Sequence, residues 1–197
     1  MLDHAAADPN QFIHIRMVLS MVVSLSIARL LSGLAKFVQH PGRLCIDGVH
    51  LLWALYMLVT LFHFWWWEFA LSRVGPWHFP QFVFVVGYSA VLYLLCAILF
   101  PDDIAEYSGY RDYFLSRRRW FFGILAVTLL LDVADSWLKG PDHLLELGTG
   151  YMIKTGASVL LCGVAALVTS RQFQWALVLV ALAVQQWWIL RLYNVLS

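Results

Sequence analysis

The chain has 197 residues, of which 61% are hydrophobic and only 13% are charged, and its formal net charge is +1. With a mean hydropathy of +0.73, this composition excludes an ordinary soluble domain and gives no basis for binding nucleic acid. It predicts an all-α polytopic integral membrane protein, because apolar runs long enough to cross a bilayer recur along the sequence.

Six apolar stretches predict six transmembrane helices in one compact domain that covers residues 1–197. In chain order the predicted spans are 12–38, 49–72, 79–100, 119–138, 149–169 and 173–194. Residue pairs that cannot continue a helix separate the first five spans: Pro41-Gly42, Gly75-Pro76, Pro101-Asp102 and Gly140-Pro141. Residues 1–11 lack the features of a signal peptide, so we expect the first helix to remain in the protein.

The connection between the third and fourth spans, residues 101–118, has a composition of its own. It mixes charges with Tyr107, Tyr110, Tyr113 and Phe114, and the basic run Arg117-Arg118-Arg119 follows. This pattern predicts a short amphipathic helix that lies on the inner leaflet and contacts lipids. The same segment could also dock a partner subunit.

The distribution of lysine and arginine predicts a bacterial cytoplasmic (inner) membrane protein with both termini outside. In this orientation the outer connections carry only Arg73 and Lys139. The inner connections carry a larger set, namely Lys36, Arg43, Arg111, Arg117, Arg118, Arg119 and Arg171.

Polar side chains from separate spans then fall into one layer in the outer third of the membrane, at about 1.5 Å of rise per residue. This layer contains His63, Asp132, Asp135, Lys154, Gln185 and Gln186, with Arg16, Glu68 and Arg191 just above it and Arg29 toward the inner half. Charged groups at membrane depth usually line a bundle interior or a water-filled cavity, so the layer predicts a pocket or ion pathway. The alternative is a closed salt-bridge network, in which Asp132 or Asp135 pairs with Lys154, and Glu68 with Arg191.

Tryptophans mark the outer boundary of this layer. Trp65, Trp66, Trp67, Trp187 and Trp188 form an aromatic collar, which is typical of side chains that anchor helices at the membrane interface. The alternative is a cage for a cationic or lipidic ligand. In the fifth span Thr149, Gly156, Gly163 and Ser170 repeat every seven residues, and this small-residue seam predicts close approach of another helix.

Motifs for cofactors and catalysis are missing from the sequence. Cys45, Cys96 and Cys162 lack metal-site spacing. A haem in a bundle needs axial histidines at matching depth on facing helices, whereas His50 and His63 lie on one predicted helix and on different faces of it. No metal-hydrolase or serine-hydrolase motif is present. We therefore predict no metal and no cofactor, and only the Asp132 and Asp135 pair leaves enzyme chemistry open.

The layout resembles the small bacterial relatives of the lysosomal potassium channel, a family of tetramers. The resemblance rests on six spans, on Phe64-Trp65 before a polar residue that closes the second span, and on Phe100-Pro101 closing the third. The Phe-Ser-Asp signature of that family is absent, with Leu19-Ser20-Met21 in its place, and its termini are expected in the cytoplasm. No pore residue is therefore carried over.

Three classes of function remain open. The first is a transporter or ion channel, as a homo-oligomer or with partner membrane subunits, whose path runs through the polar layer around Asp132, Asp135 and Lys154. The second is a non-catalytic structural or assembly subunit of a larger membrane complex. The third is a lipid-modifying enzyme that uses the acidic pair. In each case membrane lipids are the surroundings of the protein.

Overall fold

The computed structural model describes residues 9–40, 45–74 and 77–194. These residues form an all-α bundle with six helices long and apolar enough to cross a membrane, which confirms the predicted polytopic fold. The helices are α1 (Pro9–Gln39), α2 (Gly48–Trp67), α3 (Phe79–Leu99), α4 (Tyr110–Leu138), α5 (Pro141–Leu167) and α6 (Arg171–Asn194). A 3-10 helix, Glu68–Arg73, continues α2. The turn pairs Pro41-Gly42 and Gly75-Pro76, and Arg43, lie outside the described residues.

Two helices begin earlier than the sequence predicted. Helix α4 begins at Tyr110 rather than at 119, so the separate amphipathic helix predicted over 101–118 does not form. Tyr110, Tyr113 and Phe114 are buried in the bundle, because this aromatic face packs against the core instead of against lipid. Helix α5 begins at Pro141 and breaks at Gly148, whose φ of 71° suits glycine. The predicted span 149–169 corresponds to the part after this break.

Helix α2 occupies the centre of the bundle. It packs against α1, α3, α4 and α6, while α1 packs along α3 and α5 packs along α4. The pairs α2–α6 and α4–α5 stand side by side, and a space remains between them. This space holds the candidate site.

The two ends of the bundle differ in composition, and we name them by their residues. The tryptophan end contains Trp65, Trp66, Trp67, Trp187 and Trp188. The arginine end contains Arg111, Arg117, Arg118, Arg119 and Arg171. Helices α2, α4 and α6 all run from the arginine end to the tryptophan end.

Aromatic rings close the arginine end around His50, which is fully buried. The ring centroid of His50 lies 4.9 Å from that of Phe100 and 4.8 Å from that of Tyr110, and its Nε2 lies 2.7 Å from the Leu99 carbonyl oxygen. Gly33 on α1 lets the Phe100 ring approach the backbone, since a Cβ atom there would stand 2.1 Å from the ring. These rings fill the space immediately around His50.

Arg29 ties α1 to the connection after α3. Its Nη2 donates to Asp102 Oδ1 at 2.6 Å and to the Phe100 carbonyl oxygen at 2.9 Å. The hydrogen bond and the positive charge of Arg29 lower the pKa of the exposed Asp102 carboxyl group. Arg29 therefore belongs to the arginine end, away from the polar side chains at the opposite end.

Candidate functional site

A cavity of about 150 Å³ lies between α2, α4, α5 and α6 in the half of the bundle toward the tryptophan end. Most of its lining is apolar, which is typical of small-molecule sites that place a few polar groups among hydrophobic ones. The polar lining residues include Tyr56, Thr60, His63, Tyr88, Thr128, Asp132, Tyr151, Lys154, Ser158 and Gln185. Four of these belong to the predicted polar layer.

Hydrogen bonds hold several of these side chains in place. Tyr151 Oη donates to Asp132 Oδ2 at 2.7 Å, so the oxygen of Ser136, 3.3 Å away, acts as donor to Tyr151. Gln185 Nε2 on α6 donates to Thr60 Oγ1 on α2 at 2.7 Å. The buried Gln185 Oε1 has no hydrogen-bond partner within the described residues. The wall of the cavity thus keeps one acceptor unused.

Lys154 is the cation of the cavity. Its Nζ stands 4.7 Å from the ring centroid of Trp188 and 5.3 Å from that of Tyr151, in the arrangement of a cation–π contact. Among the described side chains it has neither a salt bridge nor a hydrogen-bond acceptor. Asp132 is committed to Tyr151 and forms no ion pair with Lys154. The ammonium group is therefore placed to bind an anionic group.

The cavity is closed toward the arginine end and opens sideways. Trp53 and Phe122 line its closed end, and their ring centroids are 5.3 Å apart. Between α5 and α6 the lining residues Leu161, Val180 and Val184 are 41%, 52% and 37% exposed. These residues belong to helices that are long and apolar enough to cross a membrane.

A second polar group, which we call the triad, consists of Glu68, Asp135 and Lys139. Lys139 Nζ donates to Glu68 Oε1 at 3.1 Å and also to Asp135 Oδ2. The three side chains are at most 3% exposed. The pairs of Glu68 with Arg191 and of Asp135 with Lys154, which the closed-network hypothesis required, do not form, because Lys139 folds back from the end of α4.

The structure divides the predicted polar layer into these two groups and a set of outlying residues. His63, Asp132, Lys154 and Gln185 line the cavity, and Glu68 and Asp135 belong to the triad. Arg16 stands over the rings of Trp65 and Phe69. Arg191 stands over the rings of Trp187 and Trp188. Gln186 is exposed, and Arg29 is at the arginine end. A cavity and a closed network thus occur side by side.

The aromatic collar is divided in the same way. Trp67 and Trp188 line the cavity, and Trp65 Nε1 donates to Ser20 Oγ on α1 at 3.1 Å. Trp66 and Trp187 are 55% and 57% exposed, as suits side chains at a membrane interface. The five rings therefore do not surround one common ligand.

Sequence reasoning missed Tyr151 and Ser136. Tyr151 lies three residues before Lys154 on one helix face, a spacing that could have revealed it. Lys139 follows Asp135 by four residues, and the spacing puts both on one inward helix face, but the sequence did not predict that Lys139 pairs with Glu68 and Asp135. Its long apolar stem lets the ammonium group return into the bundle.

The structure gives little support to enzyme chemistry with the acidic pair. Asp132 binds Tyr151 and Asp135 binds Lys139, so the two carboxylates serve different groups. The described residues also contain no cluster of three histidine, cysteine or acidic side chains that could hold a metal ion. No known protein family, curated protein or solved structure matches this chain.

Proposed function

We propose that this chain is a small membrane transporter whose substrate is an amphipathic molecule with an anionic head group. The observation that carries the proposal is the ammonium group of Lys154, which stands without a counter-ion from the described residues in a largely apolar cavity. An unpaired charge at membrane depth is costly, and a bound anion would compensate it. A cationic ligand would be repelled by the same group.

The shape of the cavity supports a ligand with one polar and one apolar part. Lys154 would bind the charged head, while Asp132 and the free Gln185 Oε1 accept hydrogen bonds from its hydroxyl or amide groups. An alkyl chain would leave between α5 and α6 past Leu161 and Val184. Such a molecule reaches the site from the bilayer without crossing the closed arginine end.

The proposed setting is a bacterial cytoplasmic membrane with the tryptophan end and both termini outside. The basic residues Lys36, Arg111 and Arg171 lie at the arginine end, as the positive-inside rule requires of the cytoplasmic side. Fusion of alkaline phosphatase or of green fluorescent protein to the C-terminus tests this orientation. An active phosphatase is expected, whereas a fluorescent fusion would reverse the assignment.

Transport is tested with lysophosphatidate that carries a nitrobenzoxadiazole fluorophore on its acyl chain, in phosphatidylcholine vesicles containing the purified protein. Dithionite added outside quenches only the outer leaflet, so movement between leaflets appears as quenching beyond the protein-free level. Lys154→Met is expected to slow this phase roughly tenfold or more, because a charge-assisted hydrogen bond is lost. Lys154→Arg should retain most of the rate.

Arg191→Met is the matched control, since Arg191 is an exposed cation at the same end of the bundle that does not line the cavity. Its quenching rate should equal that of the wild type. Quenching at the protein-free level, or equal rates in Lys154→Met and Arg191→Met, would contradict transport through this cavity.

A second candidate function, assembly with other subunits or with further copies of the chain, is supported by α5. Gly156 and Gly163 are exposed, and a Cβ atom at either would meet nothing within 4 Å. The predicted small-residue seam therefore faces away from this bundle, where a neighbouring helix could approach. Mass photometry in nanodiscs tests this: a homo-oligomer should dissociate in Gly156→Leu, and a wild-type monomer without foreign subunits would contradict assembly.

A further inference from the structure

The triad keeps two carboxylate oxygens without a partner. Lys139 Nζ binds Glu68 Oε1 and Asp135 Oδ2, which leaves Glu68 Oε2 and Asp135 Oδ1. Both are fully enclosed, and neither has a hydrogen-bond donor among the residues that the structure describes. Because both carboxyl groups bind the same Lys139 ammonium group, the two acids are neighbours. Two ionised carboxylates are acceptors only, so neither can donate a hydrogen bond to the other.

The charges of the triad do not balance. Two carboxylates and one ammonium group sum to one net negative charge on side chains that are at most 3% exposed, where an uncompensated charge is strongly unfavourable. Deprotonation of Lys139 would increase the imbalance. Addition of one proton to a carboxylate group removes the imbalance of charge.

No second cation forms a salt bridge with the triad carboxylates among the described residues. Asp132 and Lys154, which line the cavity, contribute one charge of each sign. Arg16 and Arg191 stand over aromatic rings. The rings of His63 and His143 lie 5.8 Å and 5.0 Å from the Trp67 ring, and both residues are included as variants in the test below.

We propose that the triad is a proton-binding site, in which Glu68 and Asp135 share one exchangeable proton. A proton from water adds to one carboxylate oxygen, and the resulting O–H group donates to the other carboxyl group. No bond to carbon breaks and no electron is transferred. The site then carries no net charge, and each buried carboxyl group has a hydrogen-bond partner.

The proton site is connected to the cavity by contacts on one side of α4. Lys139 Nζ stands 5.2 Å from the ring centroid of Trp67, which lines the cavity. Ser136, next to Asp135, donates to Tyr151, and Tyr151 donates to Asp132. Gain or loss of the proton changes the charge behind this wall. Proton binding itself is independent of the proposed transport, because it requires no substrate.

Infrared spectroscopy of the purified protein in nanodiscs tests the proposal, since a protonated carboxyl group has a carbonyl band apart from the amide bands. We expect this band in the wild type at neutral pH, with a shift in D₂O that shows exchange. It should disappear in Glu68→Gln and in Asp135→Asn, whose amide groups replace the O–H donor. It should persist in Asp132→Asn, His63→Gln and His143→Gln.

Labelling of all aspartate and glutamate carboxyl groups with ¹³C keeps the test valid even where a variant does not fold. The wild-type band should then move to lower frequency. Absence of a carboxyl band at every pH at which the protein stays folded would overturn the proposal, as would an unchanged band in both Glu68→Gln and Asp135→Asn. Neither result depends on lipid movement, so a failed transport assay and a failed proton site are distinguishable.

Discussion

The arginine end and the tryptophan end of this bundle are built from the same kinds of helices but are filled differently. At the arginine end His50, Phe100 and Tyr110 pack closely, and His50 Nε2 and Arg29 Nη2 meet backbone carbonyl groups. At the tryptophan end the helices leave a cavity, and ionised groups lie in it and beside it. The comparison indicates that close packing holds the six helices at one end, while the other end is free to carry chemistry.

The largest expected effect breaks the triad at the tryptophan end. Lys139→Met leaves two buried carboxylates without a cation, so we expect a loss of about 3–5 kcal/mol in the free energy of unfolding at neutral pH. The measurement is unfolding in mixed detergent micelles, followed by circular dichroism. The loss should shrink at acidic pH, where both carboxyl groups take up protons.

Arg191→Met is the control for this comparison, since it removes an exposed cation from the same end. Its free energy of unfolding should stay within about 0.5 kcal/mol of the wild type. Equal stability of the two variants would show that the triad does not hold the helices together.

The next effect tests the packing of the arginine end. In Gly33→Ala the new methyl group meets the Phe100 ring, which must move within a filled region, and we expect a loss of about 1–3 kcal/mol. Gly87→Ala is the matched change in α3, where nothing lies within 4 Å of the Cβ position, and it should be neutral or slightly stabilising. Detergent unfolding that ranks the two variants in the opposite order would contradict a tightly packed arginine end.

A pair of polar substitutions compares the two ends directly. His50→Leu removes the side chain whose Nε2 atom binds the buried Leu99 carbonyl oxygen, and should cost about 1–3 kcal/mol. Gln185→Met removes the bond to Thr60, but the Thr60 hydroxyl group keeps its hydrogen bond to the Tyr56 carbonyl oxygen, so the cost should stay below about 1 kcal/mol. If Gln185→Met is more destabilising than His50→Leu, the hydrogen bond between Gln185 and Thr60 holds the cavity wall more strongly than we expect.

The smallest effect concerns the exposed pair of Arg29 and Asp102. Since Arg29 lowers the pKa of Asp102, the pair contributes stability above the ordinary carboxyl pKa, and this contribution is lost as the pH falls through the lowered value. Arg29→Gln should return the pKa of Asp102 toward its usual range. A ¹³C NMR titration of the Asp102 carboxyl group in both proteins measures the shift, and identical titration curves would contradict it.

The fold could be predicted from the sequence because hydropathy and helix length fix the number of spans almost without tertiary information. The first residue of α4 could not be predicted in this way. The residues around Tyr110 are largely polar, and the aromatic face among them becomes buried only when α3 and α1 are present. The small residues of the fifth span are a similar case. Periodicity placed them on one face, but could not tell whether that face meets this chain or another molecule.

The sequence predicted the depth of the site residues in the membrane, but it did not predict which of them form pairs. Counting the helical rise brought His63, Asp132, Lys154 and Gln185 to one level, and these four do line one cavity. Which acid binds which base depends on helix rotation and on side-chain reach. Lys139 shows this, since a residue assigned to the connection binds both Glu68 and Asp135.

The sideways opening past Leu161 and Val180 has a consequence for selectivity. A molecule that arrives from the lipid phase has already left water. The roughly 0.8 kcal/mol per methylene group that favours transfer out of water is therefore gained on entering the membrane, and not on binding to the protein. Longer tails would raise the local supply of a ligand without making it fit better. Discrimination between ligands of equal tail length must then depend on the head group and the few polar atoms that meet it.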